Sequence, residues 1–344
     1  MNRPARAHLR PSIAFMLLLS GPAVPAAWAG PPTLTIHDLG TFHGAPTFGN
    51  AINDRGQIVG TAFADGGLRS FLWESGAMTD IGSSIAVDIN NRGQILLQSI
   101  LPTPFDSNSC YLRDGQNLIL LETPGGSQCN LADINDRGQV VGEATVREGL
   151  FYVTRSYLWD SGTRTDLGSL GGDYTIVNAI NDRGQAVGGS TPAQFGPTHA
   201  FLWEGGKMTD LAPPGASWSV AYAINHRGQV VVQAGSHLYL WEAGSMTDLG
   251  TMGGSDSDPL QISYPLGITE QGRILVAVFD PPARVFRFGV WAEGTVVPLP
   301  TLGSGLPSAT RMNTRGQVVG TDGLDATGIL HLVVWTPNSA GFRN

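Results

Sequence analysis

The sequence predicts an all-β fold, a seven-bladed β-propeller of four-stranded antiparallel blades, closed by an N-terminal strand that completes the last blade. Three observations predict it. A phrase recurs with a period near 44 residues, each period holds four short strand-like segments, and the fourth strand missing from the last period stands at the start of the chain. A fixed period of this length indicates one supersecondary unit that buries its apolar face only by stacking against its copies.

The recurring phrase is Ile-Asn-x-Arg-Gly-Gln followed by an apolar run. Successive copies of its glycine lie 37, 45, 46, 44, 44 and 44 residues apart. The seven glycines are Gly56, Gly93, Gly138, Gly184, Gly228, Gly272 and Gly316. Because the period runs through the chain without a linker, we expect a single domain rather than the two that length alone would suggest.

Residues 177–211 illustrate the four strands of one period. Residues 177–181 are β-prone, 182–184 form a tight loop in which Gly184 suits a positive φ, and 185–188 are a second, apolar strand. An aromatic-rich third strand covers 199–204, and a Gly-Gly hairpin leads to a fourth strand at 207–211. No segment keeps a 3.6-residue apolar period, so we expect essentially no helix. Four antiparallel strands per period are typical of a propeller blade.

The two ends of the chain predict a closed ring. Residues 37–41 repeat the fourth-strand phrase Thr-Asp-Leu-Gly of the other periods, whereas the chain ends soon after a third strand at 333–335. Pairing the first segment with the last strand removes two exposed sheet edges. This closure makes the Ala-x-x-Ile-Asn segment the innermost strand of each blade. It also places all Asn-x-Arg-Gly turns on one face and the loops between second and third strands on the other.

The N-terminal 29 residues are typical of a secretory signal peptide. Arg3, Arg6 and Arg10 precede a short apolar core, and residues 27–29 form an Ala-x-Ala cleavage site. We therefore expect cleavage after Ala29, a propeller over 30–336, a C-terminal tail over 337–344, and a secreted or periplasmic location. The apolar core is too short to span a bilayer, so no membrane insertion is expected.

The charge of the chain argues against anionic partners. The formal charge of −8 becomes −11 when the three arginines of the leader are removed. An acidic protein is repelled by phosphate, which disfavours nucleic acid and anionic membranes.

The repeats resemble the HAF repeat family of exported bacterial proteins, named after a His-Ala-Phe tripeptide. His199-Ala200-Phe201 matches it outright, with Leu-Trp following and Met-Thr-Asp-Leu at 208–211. Degenerate copies occur at 70–73, 156–159 and 238–241. The second repeat departs, with Arg113 in place of tryptophan and Leu-Leu-Glu at 120–122, and the sixth departs at 272–273 and 297–298. The resemblance implies export and a propeller-like repeat, and it implies no established activity.

The two cysteines, Cys110 and Cys129, both fall in the second repeat. Export permits a disulfide, which would stabilise the fold by roughly 3 kcal/mol for a loop of this length. Two unpaired buried thiols are the alternative. A metal site made of this pair alone is not expected.

The position before the isoleucine of each innermost strand differs between repeats. It holds Ala51, Asp88, Asp133, Ala179, Ala223, Gly267 and Arg311. Side chains of the innermost strand can face the central channel, so Asp88 and Asp133 are candidates to bind a cation or a polar ligand. The alternative is a solvated channel lining in which Arg311 pairs with these carboxylates.

The loops between second and third strands vary most, and variable loops on a rigid scaffold are where recognition usually resides. Phe105 and Tyr152 lie in such loops, and Trp218 lies in a crossing loop, so all three are candidate ligand contacts. Phe151, Phe195 and Arg284 lie in the same kind of loop and are candidates as well, and the alternative for each of these loop residues is that it caps the core. Asp256 and Asp258 offer too few oxygens for calcium, so no metal is expected.

Two features recur in the same place in six repeats, which favours a structural role over binding. The first is a set of tryptophans interpreted as packing between blades: Trp73, Trp159, Trp203, Trp241, Trp291 and Trp335. The second is the arginine of the turns, at positions 55, 92, 137, 183, 227 and 315. We interpret each arginine as pairing locally with a fourth-strand carboxylate such as Asp80, Asp166, Asp210 or Asp248.

Three functions remain open from the sequence. The first is a binding or interaction module, a monomer with an unknown ligand or protein partner, a glycan being one candidate. The second is a carbohydrate-active hydrolase or lyase that uses Asp88 and Asp133. The third is a structural component of the envelope or matrix. No linear catalytic signature and no cofactor motif is present, so no catalytic residue is assigned and no cofactor is expected.

Overall fold

Seven four-stranded antiparallel sheets form the blades of a closed propeller. The structure is a computed structural model and describes residues 34–99, 109–122, 129–148, 151–252, 263–303, 307–324 and 329–338. Each innermost strand contacts the innermost strands of both neighbouring blades, which completes the ring. The described residues contain no helix, so none that could cross a membrane. The predicted fold class is confirmed.

The strands are numbered in chain order. The innermost strands are β2 Thr47–Ile52, β6 Ser84–Ile89, β10 Cys129–Ile134, β14 Thr175–Ile180, β18 Val220–Ile224, β22 Ser263–Ile268 and β26 Ser308–Met312. The second strands are β3 Ile58–Ala64, β7 Ile95–Ser99, β11 Val140–Glu148, β15 Ala186–Ser190, β19 Val230–Ala234, β23 Ile274–Asp280 and β27 Val318–Leu324.

The third strands are β4 Gly67–Glu74, β8 Cys110–Asp114, β12 Phe151–Asp160, β16 His199–Glu204, β20 His237–Glu242, β24 Val285–Ala292 and β28 Leu330–Pro337. The outermost strands are β5 Ala77–Gly82, β9 Asn117–Leu121, β13 Thr163–Asp166, β17 Lys207–Asp210, β21 Ser245–Gly250, β25 Thr295–Pro298 and β1 Leu34–Gly40. Blade 1 comprises β2 to β5, and the blades follow in order to blade 7, which comprises β26, β27, β28 and β1.

The seam of the ring is the pairing of β1 with β28. Leu34 lies opposite Pro337 and His37 lies opposite Val334 in an antiparallel register. The Nδ1 atom of His331 lies 2.9 Å from a carboxylate oxygen of Asp38, which ties the two strands together through side chains. The predicted closure and the predicted strand order, with the turn phrase after the innermost strand, are both confirmed.

Seven apolar clusters lie mostly at the blade junctions. Phe201 and Trp203 of blade 4, for example, pack with Val141 and Leu158 of blade 3. All six repeated tryptophans belong to or pack against such clusters. The indole N–H of Trp159 donates to the carbonyl of Glu122 in the preceding blade. The interpretation of these tryptophans as packing between blades is confirmed.

Cys110 and Cys129 form a disulfide that links blade 2 to blade 3. Their Cα atoms lie 6.0 Å apart and 19 residues separate them in the sequence. Both are buried, Cys110 at the start of β8 and Cys129 at the start of β10. The bond therefore connects the third strand of one blade to the innermost strand of the next.

Candidate functional site

The asparagine of the repeated phrase organises each turn next to the channel. In blade 1, Asn53 Oδ1 accepts hydrogen bonds from the backbone N–H groups of Arg55 and Gln57, both at 3.0 Å. Asn53 Nδ2 donates to Gln57 Oε1 and to the carbonyl of Asn90 in the next blade. The equivalent asparagines link six of the seven junctions in this way. Thr269 replaces asparagine in blade 6, where its hydroxyl accepts the turn N–H of Arg273.

The variable residue of the Asn-x-Arg-Gly phrase forms a second chain of hydrogen bonds around the axis. Asp54 donates its backbone N–H to Asn91 Oδ1, and Asn91 in turn donates to Asp136 Oδ1, both at 2.7 Å. One such residue comes from each blade, and we call the seven the turn ring: Asp54, Asn91, Asp136, Asp182, His226, Glu270 and Thr314. Six of its seven neighbouring pairs are joined by such a bond within the described residues.

Every innermost strand carries a β-bulge one residue before the position that varies among blades. A bulge breaks the strict alternation of side chains and re-aims the next residue. Some bulged residues bind the neighbouring blade, as Asn50 does when its Nδ2 donates to the carbonyl of Ala86 at 2.7 Å. Beyond the bulge, the residue at the varying position lines the channel in six of the seven blades.

Arg311 crosses the channel and binds two carboxylates on its far side. Its Nη2 atom lies 3.1 Å from Asp88 Oδ2 and 3.6 Å from Asp133 Oδ1, and it donates to the carbonyl of Ala132 at 3.2 Å. Blade 7 and blade 3 are three steps apart, the largest separation that a ring of seven allows. The structure thus brings together Asp88, Asp133 and Arg311, three of the predicted site residues, and we call them the axial triad.

Backbone N–H groups hold both carboxylates of the axial triad. Asp88 accepts from Ile89 at 2.9 Å and from Ile134 of the next blade at 3.3 Å. Asp133 accepts from Ile180 of the blade after it at 2.8 Å. These contacts make each carboxylate a connection between blades as well as a partner of Arg311.

Burial sets the protonation behaviour of the axial triad. Desolvation raises the pKa of Asp133 well above its ordinary value of 3.8, the positive charge of Arg311 opposes that rise, and the charge and hydrogen bond of Asp88 add to it. The pKa of the Arg311 guanidinium is raised by the charge of Asp88, although burial acts in the opposite direction.

A cavity of about 160 Å³ lies on the axis, lined by the axial triad, the turn ring and the ends of the innermost strands. Its wall is uneven. Blades 2, 3 and 7 contribute the charged triad, whereas blades 4, 5 and 6 place Ala179, Ala223 and Gly267 at the same strand position. The small residues leave open the half of the channel that the triad does not fill. At this strand position the lining is thus charged on one side and small and apolar on the other, while the acidic and polar side chains of the turn ring surround the axis.

The remaining predicted contacts lie away from this cavity. Trp218 is 36% exposed in the loop between β17 and β18. Tyr152 lies in β12, opposite Arg147 of β11. Phe105, Asp256, Asp258 and the leader with its cleavage site lie outside the described residues. On the same loop face as Trp218, Phe195 is 87% exposed and has φ 57°, and the backbone N–H of Ser219 donates to the carbonyl of Thr198, which joins the two loops.

Of the carboxylates named as partners of the repeated arginines, Asp80, Asp210 and Asp248 bind other residues, while Arg227 pairs with a different carboxylate of its own blade, Glu242, at 3.5 Å. Asp210 and Asp248 pair with His199 and His237 of the adjacent third strand, and Asp80 pairs with Arg69. The turn arginines instead reach toward the next turn, and Arg92 Nη1 donates to the carbonyl of Arg137 at 3.3 Å. Asp210 and Asp248 lie opposite Phe201 and Tyr239, two residues along the third strand from His199 and His237, so each histidine is within reach of its carboxylate.

The turn ring is not among the residues predicted from the sequence, and its residue types differ among the repeats. All seven side chains there nevertheless carry an atom able to accept a hydrogen bond, which is the signal that identifies the ring.

Comparisons with known proteins give the fold alone. No family model matches the sequence, and no curated protein matches it. The β-propeller domain of the trilobed protease from Pyrococcus furiosus, described as having an open velcro topology, superposes with a TM-score of 0.60 at 12% identity over 84% of this chain and 95% of that one. An acylaminoacyl peptidase from Pyrococcus horikoshii superposes with a TM-score of 0.59 at 12% identity over 88% of this chain. This chain spans about half of that peptidase, 53% of its length.

Proposed function

We propose that the protein is a binding module whose ligand enters the axial cavity. The observation that carries this proposal is the cavity itself, to which all seven blades contribute and whose lining combines acidic and polar groups with small apolar residues. Concave sites that combine apolar surface with a few placed polar groups are the usual form of small-molecule sites. Because the charged groups are held by backbone hydrogen bonds, the site is formed before a ligand arrives.

The test is a thermal-shift screen of the mature chain against amines, organic acids, glycans, nucleotides and metal ions. A compound that binds only the folded chain raises its melting temperature by mass action, by RT ln(1 + [L]/Kd) in free energy. Ala223→Leu fills the cavity and should abolish the shift, whereas Ala77→Leu, at an exposed position in β5, should leave it unchanged. A shift that survives in Ala223→Leu would place the ligand elsewhere, with the loop face of Phe195 and Trp218 as the next site to test.

A hydrolase or lyase is the second candidate function. One observation favours it: Asp88 and Asp133 lie together, and the pKa of Asp133 is raised, as a general acid requires. Against it, both carboxylates are bound by backbone N–H groups and by Arg311. Turnover of an oligosaccharide that is lost in Asp133→Asn, with folding intact, would establish the enzyme and refute a purely binding role.

Export and membership of the HAF repeat family are part of the proposal. The basic, apolar and Ala-x-Ala segments of residues 1–29 support export, and the repeated phrases support the family. N-terminal sequencing of the protein secreted by a bacterial host tests export, with Gly30 as the expected first residue. Recovery of the intact leader in the cytoplasm would contradict it.

A further inference from the structure

We propose that the ligand of the axial cavity is a small organic cation, a protonated amine carrying a short apolar group. This inference rests on the proposed function and names the chemical class of its ligand. It follows from the size of the cavity, the balance of charge along its wall and the composition of the wall opposite the axial triad.

The size suits a compact organic molecule. The cavity measures about 160 Å³. An engineered apolar cavity of about 150 Å³ in another protein accepts benzene. A ligand of about six to eight non-hydrogen atoms therefore fits, whereas a nucleotide or an oligosaccharide does not.

The charge balance favours a cation. Four members of the turn ring are carboxylates, namely Asp54, Asp136, Asp182 and Glu270, whereas the axial triad adds little net negative charge because Arg311 pairs with Asp88 and burial raises the pKa of Asp133. The only lysine or arginine in the lining is Arg311, which already pairs with Asp88 and Asp133. The remaining titratable group of the ring is His226, whose Nδ1 lies 3.2 Å from Asp182 Oδ2. A narrow cavity with low-dielectric walls concentrates the field of such carboxylates and attracts a positive charge.

The opposite wall suits the apolar part of an amine. Ala179, Ala223 and Gly267 line it, together with Leu266 and the half-buried Tyr222. The face of an aromatic ring also attracts an ammonium group, whereas it does not attract an anion. The two walls thus present an apolar surface and a set of carboxylates across a space of molecular size.

A bare metal ion fits this cavity less well than an amine. Among the described residues, no group of three or more histidine, cysteine, aspartate or glutamate side chains is placed to hold a metal. The ring carboxylates are spread around the axis, each binding the backbone of a neighbouring turn, so they present a diffuse negative field and not a coordination shell.

Three probes of one shape test the inference: benzylamine, benzyl alcohol and benzoate. Isothermal titration calorimetry on the mature chain at low salt should give binding by benzylamine, at least tenfold weaker binding by benzyl alcohol and none by benzoate. Added salt should weaken benzylamine binding, since screening reduces the attraction of the carboxylates. Benzyl alcohol binding as tightly as benzylamine would refute the cation inference and leave the proposed axial site standing.

Variants separate the cavity from general attraction to an acidic protein. Asp136→Asn keeps an acceptor for the N–H of Asn91 and should weaken benzylamine binding at least fivefold, and Ala223→Leu should abolish it. Asp248→Asn removes the same charge from the outermost strand β21 and should have no effect. Equal losses in Asp136→Asn and Asp248→Asn would show that surface attraction alone binds the amine and would overturn the inference.

Failure of all three probes to bind would overturn the inference as well. A different compound that shifts the melting temperature in the screen, with the shift abolished by Ala223→Leu, would still support the axial site. Circular dichroism of each variant confirms that it is folded.

Discussion

At the scale of single residues, two buried polar side chains differ in whether hydrogen bonds and ion pairs compensate their burial. Asp133 is a carboxylate whose burial is compensated by Arg311 and by the N–H of Ile180. Gln233 is a fully buried amide without a hydrogen-bond partner among the described residues. The first serves the axial site, and the second results from a departure in the neighbouring repeat. Each gives a prediction with a definite sign.

The stability of the Asp133→Asn variant relative to the natural chain should increase as the pH rises. Burial raises the pKa of Asp133 in the folded chain above 3.8, so its stabilising contribution is complete below that value and is lost as the pH rises through the raised pKa. Asparagine keeps an acceptor for Ile180 and never ionises. The free energy of unfolding of Asp133→Asn relative to the natural chain should grow by about 1.4 kcal/mol per pH unit across that window. Urea unfolding from pH 4 to 8 measures it, with Asp248→Asn as the control for charge, and a constant difference would contradict the prediction.

Gln233→Met should stabilise the protein. In blade 3 the equivalent residue, Glu143, accepts the N–H of Val177 in the next blade. The residue that matches Val177 in blade 6 is Pro265, which has no N–H. Removing a buried amide that lacks a partner should raise the free energy of unfolding by about 1–2 kcal/mol.

The matched control is Gln98→Met in blade 2. Its amide donates to the carbonyl of Cys129 at 3.0 Å, so its loss should destabilise the protein by about 1 kcal/mol. Urea denaturation of the two variants should therefore show midpoints that move in opposite directions. A fall in both midpoints would mean that Gln233 makes a contact that the prediction ignores.

At the scale of elements, one blade is held by a covalent bond in addition to packing. Blade 2 lacks the repeated tryptophan, with Arg113 in its place, and its outermost strand exposes Leu118, Ile119 and Leu120. The missing tryptophan weakens the junction with blade 1, and the disulfide ties the third strand of blade 2 to blade 3 at its other junction, where Trp159 is present. We infer that the bond compensates for the weaker packing of the most divergent repeat.

Removal of this disulfide should lower stability substantially. For a loop of about 20 residues, the change Cys110→Ala with Cys129→Ala should lower the free energy of unfolding by roughly 3 kcal/mol. Urea unfolding with and without a reducing agent measures it. The natural chain should shift toward the variant on reduction, and the variant should not respond. An unchanged midpoint for the reduced natural chain would contradict a stabilising role.

The architecture was predictable because three features can be read directly from the sequence. These are the period of the repeat, the four strand-like segments of each period and the fourth strand that is missing from the last period and found at the start of the chain. Asp88, Asp133 and Arg311 were also identifiable, since they depart from small residues at one repeated position. The turn ring and the partners of the arginines were not, because these contacts join residues about 44 positions apart whose types vary. The bulge in each innermost strand was not predictable either, because the bulged residues differ in type from blade to blade.

At the scale of the whole molecule, stability depends on closure of the ring. Six blades are continuous in sequence, and blade 7 is completed only by β1. Without β1, the sheet edge of β28 is unpaired, and the side chain of Asp38 no longer binds His331. Ring closure therefore connects two segments about 300 residues apart, and its loss affects the junctions on both sides of the last blade.

A chain that begins at Thr41 should be markedly less stable than one that begins at Gly30. Loss of β1 leaves the edge of β28 unpaired and exposes the apolar surface against which the buried side chain of Leu34 packs, so the urea midpoint should fall. Addition of a synthetic peptide covering residues 34–40 should restore part of the midpoint in proportion to its concentration. A scrambled peptide of the same composition is the control, and equal rescue by both would contradict specific pairing at the seam.

The pairing of Leu34 with Pro337 brings the two ends of the folded chain side by side in one sheet. Such adjacency makes circular permutation possible, because a short peptide can join the ends and a new start can be opened elsewhere. Each crossing between blades is then a place at which the chain can begin. A start at such a crossing leaves every blade continuous in sequence, so the ring no longer needs a closing strand from the other end of the chain. The order of the blades in the gene is thus separable from their order around the axis.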